Sequence, residues 1–459
     1  MKILFAAAEI DPFAKVGGLA DVAAALPERL RAIGHDVRVI APCHASALGA
    51  VEASRRKRKV TVPFAGGDED VTVATVEGNG GVPVDLVLDA VAFGREAVYG
   101  EFDDLVRYQR FCRAVMAVLQ ESRFVPDVLH LNDWHTAPLA FALRNLAWAT
   151  PALRGIASVF TIHNLRYRGP DEFNDYLAQA IYYSDVVTTV SPTYAREILT
   201  PEFGEGLEAL LRLRGEALRG ILNGLSFDTF NPRVDEALVQ PFDLSSIELR
   251  SANRDAICRE LGLPNTTGPL VAMVTRLTEQ KGVDLVLQSM GELLACKARL
   301  IVLGQGDEPL RAAFTRLQSA FPDSIRITDR FDDALARRIY AGADLFLMPS
   351  RYEPCGLGQL IAMRYGAVPL GRRTGGLADT IIDLEEHRES ATGFLFNEFS
   401  AAGFAGGLER AVRAFREPET WRHLQTNGMA RDHSWGASAQ HYVEAYTAAL
   451  RARGIVPRE

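Results

Sequence analysis

The chain has 459 residues, of which 48% are apolar and 24% charged, with a formal net charge of −8 and a pI of about 5.7. That length points to two or three domains with sizeable cores, and the negative balance argues against a nucleic-acid or anionic-membrane partner. Cys43, Cys112, Cys258, Cys296 and Cys355 are scattered without a CxxC pair, and no segment reaches the roughly 18 apolar residues of a membrane span, so a reducing, cytoplasmic setting without a metal site is expected.

In chain order, apolar runs predict strands at Lys2–Ala8, Asp36–Ala41, Asp127–Leu131, Ser158–Ile162 and Val186–Val190. Met1–Phe5 is too short an apolar start for a signal sequence, because Glu9 and Asp11 follow closely. The basic run Arg55-Arg56-Lys57-Arg58-Lys59 reads as a solvated edge or loop. From Val60 to Leu88, alternation around two glycine-rich turns predicts antiparallel strands appended to the first sheet. After a stretch of mixed polarity from Asn231 to about Leu249, taken as the hinge, the pattern restarts. Strands are predicted at Leu270–Thr275, Arg299–Leu303, Ile325–Ile327, Leu345–Met348 and Val368–Leu370. One helix places Val286, Leu287, Met290, Leu293 and Leu294 on a common face.

The fold class is α/β, with two doubly wound Rossmann-like domains facing a cleft. The expected boundaries are 1–240 and 241–459, with the last helix a candidate to cross back.

Gly-Gly-Leu-Ala-Asp occurs twice, at Gly17–Asp21 behind Lys15 and at Gly375–Asp379 behind Arg372 and Arg373. A glycine pair lets backbone approach a ligand closely, and the N–H groups opening a helix favour an anion, so the two copies suggest one anionic ligand held between two domains. Arg276 and Lys281 fall on one loop after the strand Leu270–Thr275, where fixed cations can neutralise a leaving diphosphate. Glu353, at the approach to a helix, can accept sugar hydroxyl protons, while Gly356 and Leu357 offer backbone N–H groups. Each loop has a plainer reading: a tight turn with a solvated lysine, a surface ion pair, or a glutamate capping its own helix beside the inert thiol of Cys355. His130 and His135 read as packed loop histidines and Trp134 as core or cleft wall. Neither the first loop nor Gly304-Gln305-Gly306 completes a GxGxxG, which weakens a dehydrogenase reading.

The ordered set KVGGLADV, LNDWH, FTIHN, VSPTYA, ILNG, TRLTEQKG, SRYEPCGL and RRTGGLAD resembles bacterial glycogen synthase and plant starch synthase, glycosyltransferase family 5, over nearly the whole chain. The resemblance implies a GT-B fold and a retaining transfer of glucose from ADP-glucose or UDP-glucose to the non-reducing end of an α-1,4-glucan, without a cofactor. Carried over by position, Lys15, Gly17 and Gly18 meet the donor phosphates, with Asp21 beside them. Arg276 and Lys281 meet the departing diphosphate, and Glu353 with Cys355, Gly356 and Leu357 meets the glucose. Thr374, Gly375 and Gly376 complete the diphosphate cradle. His163 stands beside the reacting carbon, and Asp133 and Asn223 are cleft contacts.

Two departures bear on this. Val16 replaces a threonine common in the family. The stretch from His163 to Ser191 is shorter than in typical bacterial members, with Arg166–Pro170 running directly into Asp171–Phe173. Position 361, where other GT-B families carry a second glutamate, is Ile361, as expected of this group. A GT-B glucosyltransferase with a small acceptor such as a sugar phosphate, and a non-catalytic glucan-binding homologue, are the alternatives.

Overall fold

The computed structural model describes residues 1–146, 150, 153–169, 175–329 and 332–455. Residues 170–174, within the shortened stretch from His163 to Ser191, lie outside the described residues. The chain forms two compact units, Met1–Gly224 with Trp435–Glu459, and Leu225–Ser434.

The first unit is built on nine strands: β1 (Lys2–Ala6), β2 (Asp36–Pro42), β3 (Arg56–Phe64), β4 (Gly67–Glu77), β5 (Pro83–Leu88), β6 (Val128–Asn132), β7 (Ala157–Ile162), β8 (Val186–Thr189) and β9 (Leu218–Gly220). Their order is β3-β4-β5-β2-β1-β6-β7-β8-β9. β3, β4 and β5 pair antiparallel and the rest parallel, so the antiparallel extension joins the sheet where β5 runs alongside β2. β6, β7 and β8 are buried along their whole length, as continuous apolar runs must be when helices cover both faces. The basic run falls on β3, whose exposed Arg56, Lys57 and Lys59 charge the free edge and discourage further strand pairing.

The second unit has β10 (Leu270–Val274), β11 (Arg299–Leu303), β12 (Ile325–Thr328), β13 (Leu345–Met348), β14 (Val368–Arg372) and β15 (Phe394–Phe396), all parallel, in the order β12-β11-β10-β13-β14-β15. The face expected of a single helix from Val286 to Leu294 is divided between two short ones, Val283–Gln288 and Met290–Ala295, with the backbone leaving helical geometry at Ser289.

The division between the units falls at Gly224 rather than in the stretch Asn231–Leu249. That stretch is fastened to the second unit: Asp235 accepts from the Tyr365 hydroxyl at 2.6 Å and pairs with Arg337 at 3.1 Å, and the Gln240 N–H donates to Asn253 Oδ1 at 3.1 Å. At the other end, the helix Trp435–Ala452 packs against β7, β8 and the helix Gly18–Ala32 of the first unit. It buries Trp435, Tyr442 and Tyr446 there, and the Tyr446 hydroxyl meets His130 Nδ1 at 2.9 Å. Gly224 is fixed by this packing, because a Cβ on it would lie 2.5 Å from the Trp435 backbone.

Each sheet reverses strand order at its first strand, between β2 and β6 around β1 and between β11 and β13 around β10. Loops leaving the carboxyl ends at such a switch point diverge and leave a crevice, which is where doubly wound sheets bind ligands. The sequence motifs fall on these loops: Lys15–Gly18 after β1, Asp133 after β6, Arg276–Lys281 after β10 and Ser350–Leu357 after β13.

Candidate active site

In the second unit the loops after β10 and β13 are locked together. Lys281 Nζ donates to both oxygens of Glu353, at 2.9 and 2.7 Å, and the Ser350 hydroxyl donates to Glu353 Oε2 at 2.9 Å. Glu353 is buried and Lys281 nearly so, hence the pair is held by charge in a poorly solvated setting. Lys281 is therefore held in place by Glu353 within its own unit. Arg276 is exposed and its guanidinium has no hydrogen-bond or ion-pair partner among the described residues, which makes it the uncompensated cation of this loop.

The second glycine pair packs under the same glutamate. Thr374 precedes the helix Gly375–Thr380, and the Gly376 N–H donates to the Glu353 carbonyl at 3.0 Å. Gly375 has φ +42°, and Cβ atoms on Gly375 and Gly376 would stand 1.9 and 2.0 Å from the carbonyl oxygens of Glu353 and Cys355. Only glycine permits so close an approach. The buried Cys355 gives its carbonyl to Gln359 Nε2 at 3.0 Å, Gly356 takes φ +75°, and Leu357 precedes the helix Gly358–Arg364. The arginines ahead of this copy are engaged elsewhere: Arg372 donates to the carbonyls of Arg351 and Asn397, and Arg373 pairs with Glu386 at 2.5 Å.

In the first unit the loop after β1 folds back on Glu9. The N–H groups of Val16 and Gly17 donate to Glu9 Oε2 at 2.5 and 3.1 Å, and the Tyr99 hydroxyl lies 3.5 Å from Oε1. Burial lifts the Glu9 carboxyl to about 7; the two N–H bonds oppose the rise and the charge of Asp21 adds to it. Lys15 is exposed and pairs with Asp21 at 2.6 Å. Gly17 caps the helix Gly18–Ala32, and Gly18 is exposed at its first position.

Asp133 follows β6 with φ +53°, a left-handed conformation that an aspartate tolerates better than most residues. Its carboxylate accepts the backbone N–H of His163 at 2.8 Å and that of Asn164, while burial pushes it up to about 7 against those bonds. His163 Nε2 lies 2.9 Å from Asn132 Oδ1, and burial holds the imidazole down to about 3, so the ring is neutral. Asn223 is buried just beyond β9, and its Oδ1 has no hydrogen-bond partner among the described residues.

The structure thus brings Lys281 together with Glu353, Glu353 with Gly375 and Gly376, Lys15 with Asp21, and Asp133 with His163. His130 and His135 are buried packing residues. His130 lies between the hydroxyls of Tyr446 and Thr161, and His135 stands among the rings of Trp134, Tyr99 and Tyr108. Two residues escaped sequence reasoning. Glu9 ends the apolar run of β1 and looks like the start of a solvated loop, and Asn132 was passed over inside LNDWH. Neither carries a local sign of its burial: Glu9 is covered by its own loop, and Asn132 is bonded to Ala6, 126 positions away. Among the described residues no group of three His, Cys, Asp or Glu side chains is arranged to hold a metal ion, and no helix is long and apolar enough to cross a membrane.

Residues 2–213 match the starch synthase catalytic domain family, and residues 257–427 match the glycosyl transferases group 1 family. A glycogen synthase of Moorella thermoacetica is 39% identical, covering 99% of this chain and 98% of its own. One of Syntrophotalea carbinolica is 41% identical, covering 98% and 99%. Among solved structures, the catalytic domain of starch synthase IV from Arabidopsis thaliana, bound to ADP and acarbose, superposes with a TM-score of 0.89 at 34% identity, over 98% of this chain and 99% of that one. The fold is therefore GT-B, and the chain belongs to the glycogen synthase and starch synthase family of glycosyltransferases.

Proposed function

We propose that the protein is a glycogen synthase-type retaining glucosyltransferase that moves glucose from a nucleoside diphosphate sugar, ADP-glucose or UDP-glucose, to the non-reducing end of an α-1,4-glucan in the cytoplasm. The observation that carries this reading is the constellation of Lys281, Glu353 and Ser350 beside Arg276 at the switch point of a parallel sheet. It combines an acceptor for sugar hydroxyls with fixed cations for a diphosphate. The ADP held by the starch synthase IV relative favours adenine in the donor.

The terminal 4-hydroxyl of the glucan attacks the anomeric carbon on the face the diphosphate leaves. The bond from that carbon to the β-phosphate oxygen breaks, the new glycosidic bond forms, and the hydroxyl proton passes to the departing phosphate. The protein's task is to stabilise the growing negative charge, which Arg276 and Lys281 do electrostatically. Thr374, Gly375 and Gly376 support the diphosphate, and Cys355, Gly356 and Leu357 border the glucose beside Glu353. In the first unit, His163 serves at the reacting carbon with Asp133 holding its backbone. Lys15 and Gly18 serve the phosphates, with Gly17 shaping their turn, Asp21 setting the lysine and Asn223 contributing a polar contact. Because Glu9 takes the N–H groups of Val16 and Gly17, the phosphate role in this loop falls to Lys15 and the Gly18 N–H.

ADP-glucose and UDP-glucose, each assayed against glycogen, maltooligosaccharides and glucose 1-phosphate, test the reading. Chain extension of the glucans is expected. Efficient transfer to glucose 1-phosphate with no elongation of any glucan overturns the polymerase assignment and leaves the donor assignment standing.

A further inference from the structure

Asn132 ends β6 with a fully buried side chain. Its Nδ2 donates to the Ala6 carbonyl at 2.9 Å, and its Oδ1 lies 2.9 Å from His163 Nε2. That amide has one workable orientation. The Ala6 carbonyl can only accept, so the NH2 must face it, which leaves the amide oxygen toward the imidazole. An amide oxygen also only accepts, so Nε2 must carry a proton. A neutral imidazole has a single N–H, and desolvation keeps the half-buried ring of His163 neutral, so Nδ1 is the bare nitrogen. Nδ1 has no hydrogen-bond partner among the described residues.

The same short segment also holds the main chain of His163. Asn132 is anchored through its own backbone, whose N–H donates to the Thr136 hydroxyl at 2.7 Å, and Asp133 holds the His163 N–H. The ring is thus set by residue 132 and the main chain by residue 133.

We infer that Asn132 is a positioning residue that locks His163 in its Nε2–H tautomer and leaves Nδ1 as a hydrogen-bond acceptor. A bare Nδ1 receives a sugar hydroxyl, whereas the other tautomer would offer an N–H at that point. The effect on turnover rests on the proposed role of His163; the tautomer does not.

The test is 15N NMR of the full chain labelled in its nine histidines, with the His163 signals identified by their loss in His163→Gln. The native protein should show Nε2 protonated and Nδ1 bare, unchanged from about pH 5.5 to 8. In Asn132→Ala the two tautomers should exchange, and kcat should fall on the order of tenfold with KM for the nucleotide sugar within about twofold, the pattern of a lost orienting contact. A native spectrum with Nδ1 protonated overturns the inference, as does an Asn132→Ala variant whose tautomer is unchanged. A shifted tautomer with unchanged kcat overturns the active-site reading of His163 and leaves the lock standing.

Discussion

The pentapeptide Gly-Gly-Leu-Ala-Asp approaches or opens a helix in each unit, yet its glycines answer to different constraints. At Gly17 the backbone is extended, with φ −144°, and a Cβ would meet nothing nearer than Glu9 Oε1 at 3.6 Å. At Gly375 and Gly376 a Cβ would collide with main-chain carbonyls. The hydrogen-bond partners differ as well: an ionisable carboxylate takes the Val16 and Gly17 N–H groups, whereas a backbone carbonyl takes that of Gly376. The first copy is open toward solvent and braced by a titratable group. The second is closed by packing against its own sheet's loops. Identical sequence therefore carries no guarantee of identical physical use.

The most forceful way to break this comparison is to add one methyl group to each copy. Gly376→Ala drives a Cβ into the Cys355 carbonyl, so it should destabilise the protein by about 3 kcal/mol or more and disturb the Glu353 loop. Gly17→Ala fits within ordinary contact distance and should change stability by no more than about 1 kcal/mol, the cost of replacing a glycine at a helix cap. Denaturant midpoints of the two variants decide it. Equal losses would show that the two glycine pairs are under the same constraint after all.

A second way separates charge from packing around the closed copy. Lys281→Ala removes a leaving-group cation and strands the buried Glu353 carboxylate, so kcat should fall on the order of 100-fold, about 2.7 kcal/mol, accompanied by a loss of stability. Adding Glu353→Gln removes the stranded charge. The double variant should regain much of the stability and none of the turnover. Near wild-type turnover in Lys281→Ala would sink its assignment to the diphosphate.

Much of this architecture is legible in the sequence, and what is not has a common cause. β10 and β13 are apolar along their length, and β11 is so after Arg299, because helices cover both faces, so the apolar runs stand out in the sequence. β9 and β15 are three residues each and carry no period to read. The helix from Trp435 follows the second unit in sequence but packs on the first; that it crosses back was open to expectation, but its amphipathic pattern does not name the surface it covers. The site divides in the same way. Glycines and cations on loops after predicted strands stand out locally. The Lys281–Glu353 pair spans 72 positions and the Asn132–Ala6 bond 126, so neither leaves a local signature. Glu9 is nearer, yet its burial depends on a loop closing over it.

Glu9 also provides the gentlest test of the contrast between the two copies. Its folded carboxyl titrates near 7 against an ordinary value of 4.5, so between those values the folded chain holds a proton that the unfolded chain releases. This contribution to stability is fully present below about pH 4.5 and is lost as pH rises through about 7. Asp133, also raised to about 7, acts in the same direction. Glu9→Gln removes one of the two groups, so between about pH 5 and 8 the wild type should lose more stability than the variant, by roughly 1–3 kcal/mol. The amide of Gly376, bonded to a carbonyl that does not titrate, should show hydrogen exchange whose protection is the same in both proteins once the intrinsic pH dependence is divided out. Thermal unfolding across this pH range, read beside exchange at Val16, Gly17 and Gly376, distinguishes the cases. Parallel stability curves for wild type and Glu9→Gln would mean that the carboxyl titrates normally and that the first copy is braced by something other than a buried acid.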